Sequence, residues 1–463
     1  MRFTKHKKYL FTILIIILNF ENISNTHSNS KIYKSRPKNV TYRLSFGSCF
    51  KHQIWNENSQ ALSSAANYKP DSWIWLGDVA YLDNIQAAGI LGFQMNKLEE
   101  MKKRFDRSYE DVNYTKLRKS VKKIYGVWDD HDSGLNDGDK NVPFRDEIRK
   151  LFLKFLEEPK DSVRWTRKDG IYGSYYLDNA QQIKLILIDS RSSRDPPKNK
   201  FNLTDESELG EKQEEWLKQE LKNSEAKFTI IGSGLPVIPD DRLFPFESTY
   251  PRTRKIILET HNPKTRFMIL SGDVHYAEVF KTRCHEHIHG YQIPEFLSSG
   301  ITHGIGDVGY ISDLTIQSVN FLDPGSFNDR LNNYTKQERK YFGHNFGLID
   351  FDLQNNRLVV TIHDQFGNVV IKKNFDDNYF TQKEIPDYKK FNQCIKDIGT
   401  PQQRFKNHIF KTLKNPFRRP IILFLIILLY LGFRILCFTW YIFSLVFKRL
   451  FRGQKNKNKL KTE

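Results

Sequence analysis

The stretch from Ile124 to Asp137, I-Y-G-V-W-D-D-H-D-S-G-L-N-D, joins a short apolar run directly to a group of acidic residues and a histidine. A near-continuous apolar run of this length is typical of a strand that is buried on both faces. Polar residues directly after such a strand lie at its carboxyl end, where α/β sheets bind their ligands. The stretch therefore predicts a buried strand that ends in a functional site.

The same arrangement recurs along the chain. Helical patterns at 63–68, 146–156 and 211–221 lie between several apolar runs, and this alternation predicts an α/β fold. Farther on, alternating segments between 348 and 375 predict antiparallel hairpins. The apolar runs that lead into polar residues are Tyr42–Phe46, Trp73–Leu76, Ile124–Val127, Leu185–Ile188, Phe228–Ile231 and Phe267–Leu270.

The formal net charge of +18 is located at the two ends of the chain. Residues 1–40 carry +7 and residues 401–463 carry +13, whereas residues 41–400 carry −2. A nucleic-acid-binding protein places its basic excess on the folded domain, so no nucleic acid partner is expected. Four cysteines in 463 residues exclude a disulfide scaffold, although a pairing of Cys284 with Cys394 is left open.

Both ends also carry hydrophobic segments that are typical of membrane targeting. A basic start followed by the apolar run Tyr9–Phe20 predicts a signal peptide over 1–28, with an uncleaved N-terminal anchor as the alternative. The apolar segment 421–447 predicts a transmembrane helix, preceded by a polar stalk over 376–419 and followed by a basic cytosolic tail over 448–463. We therefore expect a single-pass membrane protein whose body lies in the secretory lumen or outside the cell. Glycosylation sequons, which fit this location, occur at Asn39, Asn113, Asn202 and Asn333.

The polar residues after the predicted strands include side chains that bind metal ions, namely Asp78, Asp130, Asp273, His131 and His275. Several carboxylates in one crevice repel each other unless cations neutralise them. Oxygen ligands suit hard cations such as Ca²⁺ or Mg²⁺, whereas a cysteine thiolate and a tyrosine phenolate suit iron or zinc. A site with both kinds of ligand predicts two unlike metals, an arrangement used for in-line displacement at phosphorus.

Six sequence blocks together resemble the PhoD-like phosphatases, which are metallophosphoesterases related to the purple acid phosphatases. The blocks are FGSCF (46–50), LGDVAYLD (76–83), WDDHDSGLND (128–137), IDSR (188–191), SGDVH (271–275) and SSGITHG (298–304). The resemblance implies a layered metallophosphoesterase domain over 41–375, with two packed β-sheets flanked by helices. It also implies two metal ions, iron plus calcium, with zinc or magnesium as alternatives.

The resemblance implies roles for individual residues as well. His131 would stabilise the phosphoryl oxygens or protonate the leaving group, and Arg191 would hold phosphate through its planar guanidinium. Asn136 is a further candidate for a metal or phosphate contact. The metal ligands that the resemblance implies are Cys49, Asp78, Tyr81, Asp130, Asp273 and His275.

Three of these residues have a structural alternative. Cys49 and Tyr81 could serve as ordinary core residues, because both residue types are commonly buried. Arg191 could form a structural salt bridge instead of contacting phosphate.

The sequence therefore predicts a membrane-anchored phosphatase that hydrolyses phosphomonoesters by attack of a hydroxide held between two metals. Phosphodiesters remain open as additional substrates. The alternatives are a phosphodiesterase that acts on lipids or nucleotides and a non-catalytic surface protein with the same fold. The intact set of acidic and histidine ligands favours an enzyme over the non-catalytic protein.

Overall fold

The computed structural model describes residues 36–51, 59–86, 92–199, 202–240, 247–260, 264–282, 289–304 and 340–381, and positions 262, 396, 400, 402–404, 406, 407 and 410. The predicted signal segment, the segment 421–447 and the two cysteines Cys284 and Cys394 lie outside these residues. Within the described residues, no helix combines the length and the apolar character needed to cross a membrane.

In this part of the chain, the strands form a six-stranded sheet, a seven-stranded sheet and a small two-stranded sheet. In chain order they are β1 (Tyr42–Gly47), β2 (Ser72–Leu76), β3 (Asp83–Ile85), β4 (Phe93–Met95), β5 (Lys123–Val127), β6 (Gly173–Tyr176), β7 (Ile183–Leu187), β8 (Phe228–Ser233), β9 (Arg266–Ser271), β10 (Ala277–Lys281), β11 (Pro294–Ser298), β12 (Lys340–Tyr341), β13 (Asn345–Asp352), β14 (Arg357–Asp364) and β15 (Val369–Phe375). The first sheet has the order β15-β14-β13-β1-β2-β5, the second has the order β12-β10-β11-β9-β8-β7-β6, and β3 pairs with β4.

Helices connect many of these strands. In chain order they are α1 (Ala61–Asn67), α2 (Leu98–Glu110), α3 (Val112–Ser120), α4 (Asp130–Ser133), α5 (Arg145–Phe155), α6 (Gly210–Lys222), α7 (Pro251–Thr260) and α8 (Asp377–Phe380), with a 3₁₀ turn at Val163–Trp165. The side chain of Asp111 caps α3, because it accepts from the backbone N–H groups of Asn113 and Tyr114.

Parallel pairing decides where the ends of the strands lie. β1, β2 and β5 run parallel in the first sheet, and β7, β8, β9 and β11 run parallel in the second. All residues of β2 and β7 are buried, as expected for strands covered on both faces. Because the carboxyl ends of parallel strands share one edge, the loops after these strands lie close together.

The two large sheets pack against each other around one hydrophobic core. Phe228 of β8 meets Phe351 of β13 edge-on, with 5.3 Å between ring centroids. Gly232 lies at a close approach, since a Cβ atom there would lie 2.6 Å from Leu187 and 3.3 Å from Leu76 of the other sheet. The absent side chain therefore lets β8 approach the opposite sheet.

The structure confirms the mixed α/β architecture, including the six buried strands, the three helices and the distal hairpins. It adds β10 and β11, which the sequence did not predict because each contains a glutamate, Glu278 or Glu295. Glu295 is fully buried and accepts hydrogen bonds from the backbone N–H groups of Val237 and Ile238 and from Ser271 Oγ. These bonds satisfy a carboxylate that would otherwise be costly to bury.

The folded body continues past Phe375, the predicted end of the domain. Helix α8 follows, and its Phe380 is buried in the main core. Asp377, at the start of α8, pairs with Arg266 at the start of β9. The segment 376–381 thus belongs to the body, although the sequence assigned it to the stalk.

A buried histidine on β14 predicts a pH-dependent stability. His363 stacks on Phe346, and its Nδ1 and Nε2 atoms lie within hydrogen-bond distance of Gly367 O and Thr361 Oγ1. Burial lowers the pKa of His363 from 6.5 to about 4. The unfolded chain therefore takes up the proton first, so the stability contribution is complete above pH 6.5 and declines as the pH falls towards 4. Complete protonation would lower the free energy of unfolding by about 3 kcal/mol.

Urea unfolding between pH 7 and pH 5 measures this contribution. Wild type should lose more stability over this range than the His363→Gln variant, which carries no titrating imidazole. Equal losses in the two proteins would mean that His363 is not the group responsible.

Candidate metal centre

The loops after β1, β2, β5 and β9 meet at one edge of the two large sheets. Cys49 follows β1, Asp78 follows β2, Asp130 follows β5, and Asp273 and His275 follow β9. The φ angles of all but Asp130 are positive, at 63°, 56°, 79° and 61° in chain order. Such left-handed conformations cost non-glycine residues on the order of 1–3 kcal/mol each and concentrate at functional sites. These strained turns direct the ligating side chains into a common space.

Four carboxylates converge in this space. One oxygen from each of Asp78, Asp129, Asp130 and Asp273 lies within 4.8 Å of the others. Asp78 Oδ1 and Asp129 Oδ2 are buried and have no hydrogen-bond partner among the described residues. Because buried negative charge is costly without a counter-charge, the cluster fits bound cations.

The pKa values of these carboxyl groups differ with their surroundings. Burial raises the pKa of Asp78 well above its ordinary value, and the neighbouring Asp130 and Asp129 raise it further. Burial and Asp129 do the same to the pKa of Asp273. Burial also opposes ionisation of Asp130, but the guanidinium of Arg191 and the backbone N–H of Asp137 help to lower its pKa to about 2. Asp130 is therefore the most acidic carboxyl group of these three.

A second group of ligand atoms adjoins the carboxylates. Cys49 Sγ, a carboxylate oxygen of Asp78 and a ring nitrogen of His275 lie within 4.8 Å of one another. Tyr81 Oη lies 3.3 Å from His275 Nε2 and 3.1 Å from His303 Nε2, and the two nitrogens are 3.2 Å apart. Burial, followed by His275, lowers the pKa of His303 well below its ordinary value, so this ring is neutral, the form that binds metals. The thiol, phenol and imidazoles together form the softer ligand set.

The ring of His131 is held between the two groups. Its Nδ1 lies 2.8 Å from Asp83 Oδ1, and its ring contacts that of Tyr81 at an angle of 32° with 4.2 Å between centroids. One nitrogen also comes within 4.8 Å of ligand oxygens of Asp78 and Asp130. Asp83 therefore fixes the orientation of a histidine that faces the carboxylate cluster.

A buried neighbour of the cluster, Asp132, holds two of the loops in place. Asp132 Oδ1 accepts hydrogen bonds from the backbone N–H groups of Val79 and Ala80, and Asp132 also forms a capping box with Asp129. It thereby joins the loop after β2 to the loop after β5.

Arg191 is buried inside the site, and its guanidinium is engaged by protein carboxylates. Its Nε donates to Asp129 Oδ1 at 2.5 Å, and an Nη atom lies 3.9 Å from Asp130 Oδ2. This geometry favours the salt-bridge alternative, in which Arg191 orients Asp129 and Asp130. Its contact with phosphate stays a prediction.

Asn136 lies at the border of the site. Its backbone N–H donates to Asp83 Oδ2, and its side chain donates to Asp137. It lines a cleft of about 420 Å³ together with Phe93, Leu135 and Pro196. Phe93 also contacts the ring of His131 at 5.6 Å, so the cleft opens beside the candidate metal centre.

Sequence reasoning left three residues of this centre without a role. Asp129 was read only as part of the acidic run, yet its carboxylate belongs to the cluster. Asp83 and His303 lie within the quoted blocks LGDVAYLD and SSGITHG. The signal that could have found them is their position in those blocks, since no spacing rule predicts which loop side chains meet across two sheets.

The fold and this candidate metal site fit a metallohydrolase, and the comparisons with known proteins give the family. The sequence profile of the PhoD-like phosphatases matches residues 44–362, which is more than half of the chain. The chain therefore belongs to the PhoD-like phosphatase family and is a phosphoric ester hydrolase. The phosphate ester substrate that the sequence predicted is thereby confirmed at the level of the class.

A solved structure supports the same fold. The structure described as "Structure of PhoD" matches 82% of this chain and 79% of its own chain, with a TM-score of 0.51. The two sequences are 14% identical, so the likeness concerns the fold. No curated protein matches the sequence.

Proposed function

We propose that the protein hydrolyses phosphomonoesters with the help of two bound metal ions. The observation that carries this proposal is the convergence of two different ligand groups at one sheet edge. One group is rich in carboxylate oxygens, and the other contains a thiol, a phenol and imidazoles. Asp78 contributes to both groups and would therefore be shared by the two metals.

The ligand chemistry supports unlike metals. Asp130 and Asp273 would hold a hard cation such as calcium, with magnesium as the alternative. Cys49, Tyr81 and His275 would hold iron, with zinc as the alternative. When bound, the two cations would lower the pKa of a shared water, supply hydroxide for attack on phosphorus and offset the charge on the phosphoryl oxygens.

The protein's own groups would act on the substrate around these metals. His131 would donate a proton to the leaving oxygen, because Asp83 holds Nδ1 and leaves Nε2 for the substrate. Arg191 would keep Asp129 and Asp130 in their ligating positions through its ion pairs. The cleft beside Phe93 and Asn136 would receive the organic part of the ester.

We also propose that the segment 421–447 anchors the protein in a membrane, with the enzymatic body on the lumenal or extracellular side. The support is the apolar character of this segment together with the predicted N-terminal signal. A C-terminal tag should be digested by protease added outside sealed microsomes. A protected tag would contradict this orientation.

Hydrolysis of p-nitrophenyl phosphate by the purified full-length chain tests the function. Chelation should abolish turnover, and iron with calcium should restore it better than either metal alone. Bis(p-nitrophenyl) phosphate should be cleaved more slowly; faster cleavage of the diester would favour the phosphodiesterase. Activity that resists chelation would contradict the two-metal proposal, and inactivity with all metals would favour the non-catalytic alternative.

A further inference from the structure

Lys51 places a positive charge at the mouth of the site. Its backbone N–H donates to Thr302 Oγ1 at 2.7 Å, and this hydroxyl contacts Cys49 O at 3.2 Å. These bonds fix the base of the lysine side chain next to the loop that carries Cys49. The ammonium lies 4.8 Å from the ring centroid of Tyr81, within cation–π distance.

Other cations near the site are engaged by the protein. Arg191 pairs with Asp129, and Arg104 donates to the carbonyl oxygens of Tyr81 and Asp83. In contrast, the ammonium of Lys51 forms no ion pair or hydrogen bond with any residue that the structure describes. Lys51 is half-buried, and burial lowers its pKa, whereas the nearby carboxylates of Asp83 and Asp78 raise it without forming an ion pair with the ammonium.

We propose that the ammonium of Lys51 binds a non-bridging oxygen of the substrate phosphate and selects phosphomonoesters over phosphodiesters. This inference rests on the proposed phosphatase function and specifies its substrate class. Lysine binds phosphate as a point charge. A monoester carries two negative charges above its second pKa of about 6, whereas a diester carries one. An additional cation beside the metals therefore stabilises the bound monoester more strongly than the bound diester.

The position of Lys51 also makes it more available to a substrate phosphate than Arg191. Arg191 is fully buried behind Asp129 and Asp130, so it reaches the carboxylates first. Lys51 lies over the ring of Tyr81, which the ring of His131 also contacts.

The test compares kcat/KM for p-nitrophenyl phosphate and its bis ester in the metal-loaded full-length protein. Lys51→Gln should lower the value for the monoester about 10- to 100-fold, the usual worth of a charge-assisted hydrogen bond. The value for the diester should change less than about threefold. Lys51→Arg keeps the charge and should retain most of the preference for the monoester. Lys116→Gln, which removes an exposed lysine of α3, is the matched control and should leave both values unchanged.

The outcomes separate this inference from the proposed function. Rates are divided by the measured metal content of each variant, because Lys51 lies close to a proposed ligand. The role of the charge would be overturned if Lys51→Gln lowered kcat/KM equally for both esters. It would also be overturned if Lys51→Arg lost the preference for the monoester. If wild type hydrolyses neither ester, the phosphatase proposal fails, but calorimetry with inorganic phosphate still decides the inference. Lys51→Gln should bind inorganic phosphate about tenfold more weakly than Lys116→Gln. Equal phosphate binding by the two variants would overturn the inference.

Discussion

Replacing Asp78 with asparagine is expected to abolish metal-dependent hydrolysis and, at the same time, to stabilise the metal-free protein. Asp78 belongs to both ligand groups, so its loss should weaken both metal sites. We expect kcat/KM to fall about 1000-fold or more, which corresponds to about 4 kcal/mol of lost transition-state stabilisation. In the absence of metals, however, burial and the neighbours Asp130 and Asp129 raise the pKa of this carboxyl group, so asparagine removes the cost of ionising or protonating it there.

Urea unfolding in the presence of chelator measures the second effect. The free energy of unfolding of Asp78→Asn should be larger than that of wild type by about 1 kcal/mol or more, because functional sites commonly cost a protein stability. The backbone does not interfere, because asparagine tolerates the φ of 56° at this position about as well as aspartate. Asp161→Asn removes an exposed carboxylate and serves as the matched control. An Asp78→Asn variant that keeps its metals, or that is less stable than wild type without them, would contradict this account.

His131→Ala is expected to lower kcat by about 10²–10⁴, the usual worth of a general acid, while the metal content is kept. The imidazole faces the carboxylate cluster, and Asp83 fixes its Nδ1 at 2.8 Å. Asp130→Ala should differ, because it removes a proposed ligand and should lose metal together with activity. Elemental analysis of both variants separates the two roles. Loss of metal from His131→Ala would instead make His131 a ligand.

The leaving group provides an internal control for His131. An aryl phosphate with an acidic phenol needs little protonation, so His131→Ala should slow it less than an alkyl phosphate. Equal losses on the two esters, with the metals retained, would mean that His131 only stabilises the phosphoryl oxygens. Neither result depends on how tightly the variant binds its substrate, because kcat is compared at saturation.

The strands of this fold were predictable because their apolar runs are nearly continuous. β2 and β7 are buried along their whole length, and such strands leave a clear pattern in the sequence. β10 and β11 left no such pattern, because Glu278 and Glu295 interrupt them. A buried glutamate is tolerable only where the folded chain supplies partners, and these partners come from distant loops. Tertiary hydrogen bonds of this kind cannot be inferred from local hydrophobicity.

The candidate site was predictable to a similar degree. The positions directly after strands indicated which loops would meet, and the structure brings Cys49, Asp78, Asp130 and Asp273 to one edge. The sequence did not indicate which charges would pair. The ion pair between Arg191 and Asp129 joins residues 62 positions apart and depends on the packing of two sheets. For the same reason, the sequence could not show that Arg191 is engaged by carboxylates whereas Lys51 forms no ion pair with a described residue.

Two contacts mark the edge of the sheets that lies opposite the ligand-bearing edge. Thr41, directly before β1, donates to Phe351 O, and Asp377 pairs with Arg266 at the start of β9. Both contacts are at the amino ends of parallel strands, and a six-residue strand such as β9 spans roughly 20 Å. A chain held at Thr41 would therefore point its ligand-bearing edge away from the point of attachment, whereas Arg404, farther along the chain, pairs with Asp240 in the loop that follows β8.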